Sequence, residues 1–217
     1  MNALRESVAD DVWLLRRRAA PTAVMLEEIA RIAADAPFRR LRTPGGGTMS
    51  VAMTNCGPLG WHSDARGYRY VDVDPGSGRR WPPMPERWRE LAASAAAEAG
   101  FPGFEPDACL VNRYAVGTQM GAHRDYDERD LRQPIVSVSI GLPAQFLWHG
   151  ATRGGSLVRV ELLDGDVLVW GGRARAGYHA VKRIAAPDLI ASAAADAPPT
   201  DETGEPLRYN LTFRRAK

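Results

Sequence analysis

His123 and Asp125 are separated by a single residue, in a chain with only four histidines. On a β-strand that spacing turns an imidazole and a carboxylate to the same face. Such a pair makes two of the three ligands of the 2-His-1-carboxylate facial triad, a usual holder of non-haem Fe(II). His179, in Ala176-Gly177-Tyr178-His179-Ala180, is placed to be the third ligand; His62 and His149 are read as non-ligands. Further on, Arg208 and Arg214 lie six apart in Arg208-Tyr209-Asn210-Leu211-Thr212-Phe213-Arg214, again one face of a strand. Two guanidinium forks suit a dicarboxylate. Iron beside a dicarboxylate is the equipment of an oxygenase that consumes 2-oxoglutarate. Taken alone, a His-x-Asp triplet also fits a surface histidine beside a solvated aspartate.

The elements that must position these residues follow from periodicity. A helix is expected from Pro21 to about Ala34, with Leu26, Ile29, Ala30 and Ala33 as its apolar stripe. A second runs from about Pro85 to Ala99, with Trp88, Leu91, Ala92 and Ala95 on one face and Gly100 as its C′ residue. The first twenty residues define little beyond a short strand through Trp13, Leu14 and Leu15. Met49–Asn55 and Tyr68–Val73 read as strands, and Trp61 falls in a loop after the break at Gly57-Pro58-Leu59-Gly60. From Ala108 the pattern becomes short strands: Ala108–Tyr114, Ile135–Ile140, Gln145–Trp148, Leu157–Leu162, Val167–Trp170 and Leu207–Arg214. Two helices followed by many short strands predict a mainly β fold, a double-stranded jelly roll backed by helices, with ligands at its mouth. With 217 residues the chain makes one domain. Ala185 to Pro206, rich in Ala, Pro, Asp and Thr, reads as a mobile surface insertion.

Composition narrows the class. Hydrophobic residues at 45% and charged residues at 25% describe a globular chain, which excludes a disordered one. A net charge of +2 does not require a polyanionic partner. Arginine clusters at Arg16-Arg17-Arg18, Arg39-Arg40 with Arg42, and Arg79-Arg80 are compatible with solvated surface and permit nucleic-acid binding. Cys56 and Cys109 belong to no C-x-x-C pair, so no zinc or redox motif is present, and both read as buried free thiols. Met1 to Asp11 carries Arg5, Glu6, Asp10 and Asp11 without an apolar core, unlike a signal peptide, and no run is long enough to span a membrane. A cytoplasmic location is expected.

Several longer motifs, in order, carry a resemblance. They are Thr43-Pro44-Gly45-Gly46, Met49-Ser50-Val51-Ala52-Met53-Thr54-Asn55-Cys56-Gly57, Asn112-Arg113-Tyr114, His123-x-Asp125-x-Asp127, Pro134-Ile135-Val136-Ser137-Val138-Ser139, Trp170-Gly171-Gly172, and Arg208 to Arg214. From about Pro37 to Arg215 the chain resembles the AlkB-type Fe(II)/2-oxoglutarate dioxygenases, the bacterial DNA dealkylation family. The resemblance implies iron held by His123, Asp125 and His179, and 2-oxoglutarate held by Asn112, Tyr114, Arg208, Asn210 and Arg214. It places the substrate base near Trp61, Tyr68, Asp127 and Arg153, with the damaged base flipped between Trp61 and His123.

It further implies a jelly-roll core over about 108–217, preceded by an extension over about 1–107 that forms a nucleotide lid. The expected activity is oxidative demethylation of N-alkylated bases such as 1-methyladenine and 3-methylcytosine, in single- or double-stranded DNA or also RNA. It consumes O₂ and releases formaldehyde as a DNA-repair step against alkylation damage. A monomer without membrane contact is expected. Bland readings stand beside these: Trp61 as a core plug, Asp127 as a solvated acid, Arg153 as a free hairpin arginine. Two rivals also stand, a 2-oxoglutarate hydroxylase of small molecules or proteins, and a jelly-roll binding module that needs no iron. The chain departs from the family at Gly47, where an aromatic lid residue is common, and in the longer segment between His179 and Arg208.

Overall fold

The computed structural model describes residues 4–186 and 197–217. The order of elements is β1 (Arg5–Ala9), β2 (Val12–Leu15), α1 (Ala23–Asp35), β3 (Ala52–Cys56), β4 (Gly60–Asp64), β5 (Gly67–Val71) and α2 (Glu86–Glu98). There follow β6 (Ala108–Ala115), β7 (Met120–His123), β8 (Ile135–Gly141), β9 (Ala144–Gly150), β10 (Val158–Leu162), β11 (Val167–Trp170), β12 (Tyr178–Val181) and β13 (Leu207–Arg214). Seven strands form a large sheet in the order β1-β2-β11-β8-β13-β6-β3, and four form a small one in the order β10-β9-β12-β7. Every ladder within both sheets is antiparallel. The fold is the expected mainly β jelly roll, with β4 and β5 as a separate hairpin.

Period-two alternation decides what each face of the large sheet does. One set, Cys109 and Val111 on β6, Val136, Val138 and Ile140 on β8, Val167 and Val169 on β11, and Leu211 and Phe213 on β13, packs beneath the two helices. The intervening set turns inward. There Ile135, Leu168 and Trp170 meet Phe146 and Trp148 of β9 and Val160 and Leu162 of β10. Each such fully buried aliphatic or aromatic side chain stabilises the fold by about 1.5–3 kcal/mol. Cys56 and Cys109 are register partners across β3 and β6, and both are free and buried.

The helices differ from expectation in detail. The stripe of α1 is Met25, Ile29 and Ile32, spaced i, i+4, i+7, while Ala30 is exposed. The sheet meets the longer side chains one position away from the alanines. Thr22 precedes the helix without capping it, because its hydroxyl bonds the Asp164 carboxylate instead. In α2 the buried residues are Trp88, Ala92, Ala95 and Ala96. Gly100 ends it at φ +98°, and the Phe101 amide closes back on the Ala96 carbonyl.

The N-terminal half is more regular than its composition indicates. β2 carries Trp13, Leu14 and Leu15 as expected, but it pairs with β11, and β1 lines up outside it. Trp61 is not in a loop: it sits on β4, opposite Tyr70 of β5, in a hairpin turned through Ala65-Arg66. Gly60 opens that hairpin because a β-carbon there would lie 2.4 Å from the Trp81 ring. Part of the expected insertion over 185–206 lies outside the described residues, namely 187–196. Its C-terminal flank forms a turn closed by a Thr200–Pro206 bridge.

Candidate metal and cosubstrate site

β7 and β12 are neighbours in the small sheet, and their register pairs His123 directly with His179. Asp125 lies two residues beyond the end of β7, in an irregular segment. Strand pleating therefore does not aim its carboxylate, contrary to the spacing argument. Two arginines do. The Arg214 Nη2 donates to Asp125 Oδ1 at 2.9 Å, and the Arg175 Nη1 donates to the Asp125 main-chain carbonyl at 2.9 Å. One ligand atom each from His123, Asp125 and His179 then lies within 4.8 Å of the others. The other His-x-Asp triplet, His62-Ser63-Asp64 on β4, assembles nothing comparable. Arg69 occupies both oxygens of Asp64 at 2.8 Å, and no second histidine joins them among the described residues.

Both ring orientations are set by the backbone. His123 Nδ1 lies 2.9 Å from the Gly121 carbonyl, and His179 Nδ1 lies 3.1 Å from the Gly177 carbonyl. A carbonyl only accepts, so each Nδ1 carries the proton and each Nε2 presents its lone pair. His179 is buried among Phe146, Trp148 and Trp170, with the Trp148 ring nearly parallel at 13°. Burial, followed by the nearby His123, lowers the His179 pKa to about 4, which keeps the ring neutral and able to ligate. Burial pushes the Asp125 carboxyl up, but Arg214 and the two histidines outweigh it and hold the group ionised, well below the carboxylate range.

The donor set fits a cation. Asp125 Oδ2 is buried, has no hydrogen-bond partner, and lies 3.7 Å from His179 Nε2. A buried carboxylate oxygen left unpaired is costly unless something absent from the chain pairs with it.

The inner face of β13 supplies a second unfinished arrangement. Register sets Arg208 opposite Tyr114 and Asn210 opposite Asn112. Asn112 Nδ2 donates to Asn210 Oδ1, and Asn210 Nδ2 donates to Ser137 Oγ and the Val138 carbonyl. Arg208 is 1% exposed. Its guanidinium donates to the Leu142 carbonyl and to Ser139 Oγ, and its Nε has no partner. No carboxylate pairs with it among the described residues, and burial lowers its pKa to about 10. The Asn112 Oδ1 is likewise buried and unpartnered, and burial raises the Tyr114 hydroxyl to about 12. An uncompensated buried cation beside a protonated phenol, on one face, is what an anionic ligand would complete.

Of the residues expected on the base side, Trp61 touches both Tyr68 and Asp127, whereas Arg153 lies beside Tyr178. The Trp61 indole N–H donates to Asp127 Oδ2 at 2.8 Å, and its ring stacks on Tyr68 with centroids 5.4 Å apart. Arg153 is exposed, donates to the Ala122 carbonyl, and lies over the Tyr178 ring. Gly47 is exposed in a turn closed on Thr43. Sequence reasoning missed five residues here. Ser137 and Ser139 alternate with buried valines on β8, and that alternation of small polar residues was a readable signal. Tyr70, Glu128 and Arg175 had none, because their importance comes from contacts 47 and 58 residues apart. A surface cleft bounded by Phe38, Arg40, Arg113 and Tyr209 shares no residue with the His–Asp–His cluster.

Comparison with known proteins gives a consistent picture. The sequence profile of the 2OG-Fe(II) oxygenase superfamily matches residues 14–214. The chain is 47% identical over 217 residues to the alpha-ketoglutarate-dependent dioxygenase AlkB of Escherichia coli K12, covering 98% of this chain and 93% of that one. It is 31% identical over 180 residues to the DNA N(6)-methyladenine demethylase ALKBH1C of Arabidopsis thaliana, covering 72% of this chain and 38% of the plant protein. The solved structure of OsALKBH1 superposes with a TM-score of 0.79 at 26% identity, covering 98% of this chain and all of that one.

Proposed function

Because the chain belongs to the 2OG-Fe(II) oxygenase superfamily, and is an Fe(II)- and 2-oxoglutarate-dependent dioxygenase, we propose that it demethylates N-alkylated bases in nucleic acid. The observation that carries this reading is the fully buried Arg208, which has no carboxylate partner among the described residues, on the inner face of the strand whose Arg214 grips Asp125.

His123 and His179 offer Nε2, and Asp125 offers Oδ2, to Fe(II). Arg208 receives the remote carboxylate of 2-oxoglutarate, where its free Nε adds a charge-assisted hydrogen bond. Tyr114 and Asn112 bond the same ligand, Asn210 holds Asn112, and Arg214 lies toward the chelating end. Iron, 2-oxoglutarate and O₂ together supply the oxidation of an N-methyl group, whose hydroxylated product releases formaldehyde. The protein excludes water around His179 with three aromatic rings, which protects a reactive centre from side reactions.

A base must leave its stack to reach such a centre. Trp61 and Tyr68 on the hairpin give it an aromatic wall, and Asp127 gives a cationic lesion a nearby carboxylate. The strand that carries the base needs cationic contacts outside the site. Arg124 lies 4.7 Å from the Tyr126 ring and 5.4 Å from the Tyr178 ring, and Arg153 lies 5.9 Å from the other guanidinium's Tyr178 partner. Neither arginine is in an ion pair among the described residues, so both are available to phosphates.

The test is formaldehyde and succinate release from oligonucleotides carrying 1-methyladenine or 3-methylcytosine, in DNA and in RNA, against unmodified oligonucleotide. Wild-type protein should release formaldehyde only with the alkylated strands, with succinate raised above its uncoupled background, and His179→Ala should release neither. Equal succinate with modified and unmodified strands, and no formaldehyde, would instead point to a hydroxylase of small molecules or proteins.

A further inference from the structure

We propose that Glu128 is a positioning residue for the Asp125 carboxylate, and that Tyr70 makes that positioning depend on the β4–β5 hairpin. The two arginines that hold Asp125 share a second partner. Arg175 donates through Nη1 to the Asp125 carbonyl and through Nη2 to Glu128 Oε2, at 2.9 and 2.8 Å. Arg214 bonds Asp125 Oδ1 through Nη2 at 2.9 Å, and its Nε lies 3.4 Å from Glu128 Oε1. Glu128 thus stands behind both arginines, and the Asp125 contacts lie in front of them. The Glu128 side chain is 2% exposed and that of Arg175 is 3% exposed. The cluster of two carboxylates and two guanidiniums is electrically balanced, which is the condition for burying four charges together.

The arrangement has a geometric consequence. Because Arg214 occupies Oδ1 of Asp125, the oxygen left without a partner is Oδ2, the one nearer His179. Without Glu128 both guanidiniums would have, among the described residues, only Asp125 as a buried carboxylate partner, and would turn to use both its oxygens. Glu128 therefore keeps one Asp125 oxygen open.

Tyr70 links this to the hairpin. Its hydroxyl donates to Glu128 Oε1 at 2.6 Å. Burial keeps the phenol proton on, so the group remains a donor. On the same hairpin Trp61 bonds Asp127, the residue before Glu128. Both strands of the hairpin are thus pinned to the segment that carries Asp125, and a hairpin displaced from its place would withdraw the Tyr70 hydroxyl from Glu128.

This rests on the reading that His123, Asp125 and His179 hold the metal. It is tested without turnover, by titrating the metal-free full-length protein with Mn(II) and following free Mn(II) by electron paramagnetic resonance, alongside the metal-free melting temperature. Supporting residues around metal ligands typically change affinity by about 10–100-fold. Glu128→Gln should weaken Mn(II) binding in that range. Tyr70→Phe keeps all four charges but removes a charge-assisted hydrogen bond, so it should lower the metal-free melting temperature and also weaken Mn(II) binding by about threefold or more. Variants that fold, melt lower and still bind Mn(II) as wild type does would show a purely structural role and overturn the proposal. Should Glu128→Gln not fold, wild-type affinity in Tyr70→Phe alone would overturn it. His179→Ala is the control: wild-type affinity there would reject the ligand assignment itself, and the proposal with it.

Discussion

At the scale of single residues, the cosubstrate reading turns on Arg208. A hydrogen bond to a charged group contributes about 1.5–3 kcal/mol. Arg208→Ala should therefore raise the apparent constant for 2-oxoglutarate at least about tenfold, and an unchanged constant would remove Arg208 from the site. The base reading turns on Trp61. A base stacked on an aromatic ring gains about 1–3 kcal/mol, so Trp61→Ala should weaken handling of alkylated oligonucleotide by roughly 10–100-fold. Uncoupled decarboxylation of 2-oxoglutarate should survive in that variant. If Trp61 only fills space against its partly buried neighbours, melting temperature and both activities will fall together. The candidate iron ligands were legible as residue types, yet the reason for reading them was incomplete. His62-Ser63-Asp64 has the same spacing as His123-Arg124-Asp125 and binds its carboxylate to Arg69. Long-range contacts separate the two triplets: the pairing with His179, and the hold of Arg175 and Arg214 on Asp125.

At the scale of elements, the loop from Asp74 to Arg80 is secured by one buried carboxylate. Arg39 donates to both oxygens of Asp74, at 2.6 and 2.8 Å, and the Gly76 amide adds a third bond. Burial pushes Asp74 up, but the Arg39 hydrogen bonds and then the Gly76 amide more than offset it, taking the pKa from 3.8 down to about 2. A carboxylate with a depressed folded-state pKa contributes stability above its unfolded value and loses it as pH falls through the folded one. That stability is present above pH 3.8 and disappears as pH falls through about 2. Since Arg39 is 34% exposed, solvent screening reduces the contribution to about 1 kcal/mol. Asp74→Asn should therefore be less stable than wild type at pH 7, and the gap should close between pH 4 and pH 2 in urea unfolding. Parallel stability curves over that range would reject the pairing as a source of stability. Elements with strong local patterns were readable: β11 and β13 match their expected bounds, and α2 differs by a residue at each end. β4 was not, because Gly57-Pro58-Leu59-Gly60 signals a break and the strand's sheet partner among the described residues, β5, is the other half of its own hairpin. Four-residue strands such as β7 and β12 carry too few positions to show alternation.

At the scale of the whole molecule, a net charge of +2 does not reveal a nucleic-acid surface. The arginines proposed to meet phosphates are placed singly rather than in runs: Arg124 and Arg153 both lie over the Tyr178 ring, while Arg16, Arg18 and Arg39 of the sequence clusters are engaged in ion pairs. Affinity for an unmodified oligonucleotide should fall with rising salt, and each phosphate contact removed should reduce the log–log slope by about 1. Arg124→Ala should show that reduction in fluorescence anisotropy titrations at several salt concentrations, while leaving Mn(II) binding intact. A slope equal to that of wild type would place the strand elsewhere.

The sealed thiols at Cys56 and Cys109 give this architecture an internal clock. Both side chains are fully shielded, so a thiol-reactive reagent can modify them only during an opening of the chain. β3 is the edge strand of the large sheet, whereas β6 is clamped between β3 and β13. Cys56 can therefore be labelled when the edge peels away, but Cys109 requires the sheet itself to come apart. Mass spectrometry of the two peptides during a slow labelling time course should show Cys56 modified first, and the interval between the two rates measures how far fraying of the edge is decoupled from global unfolding.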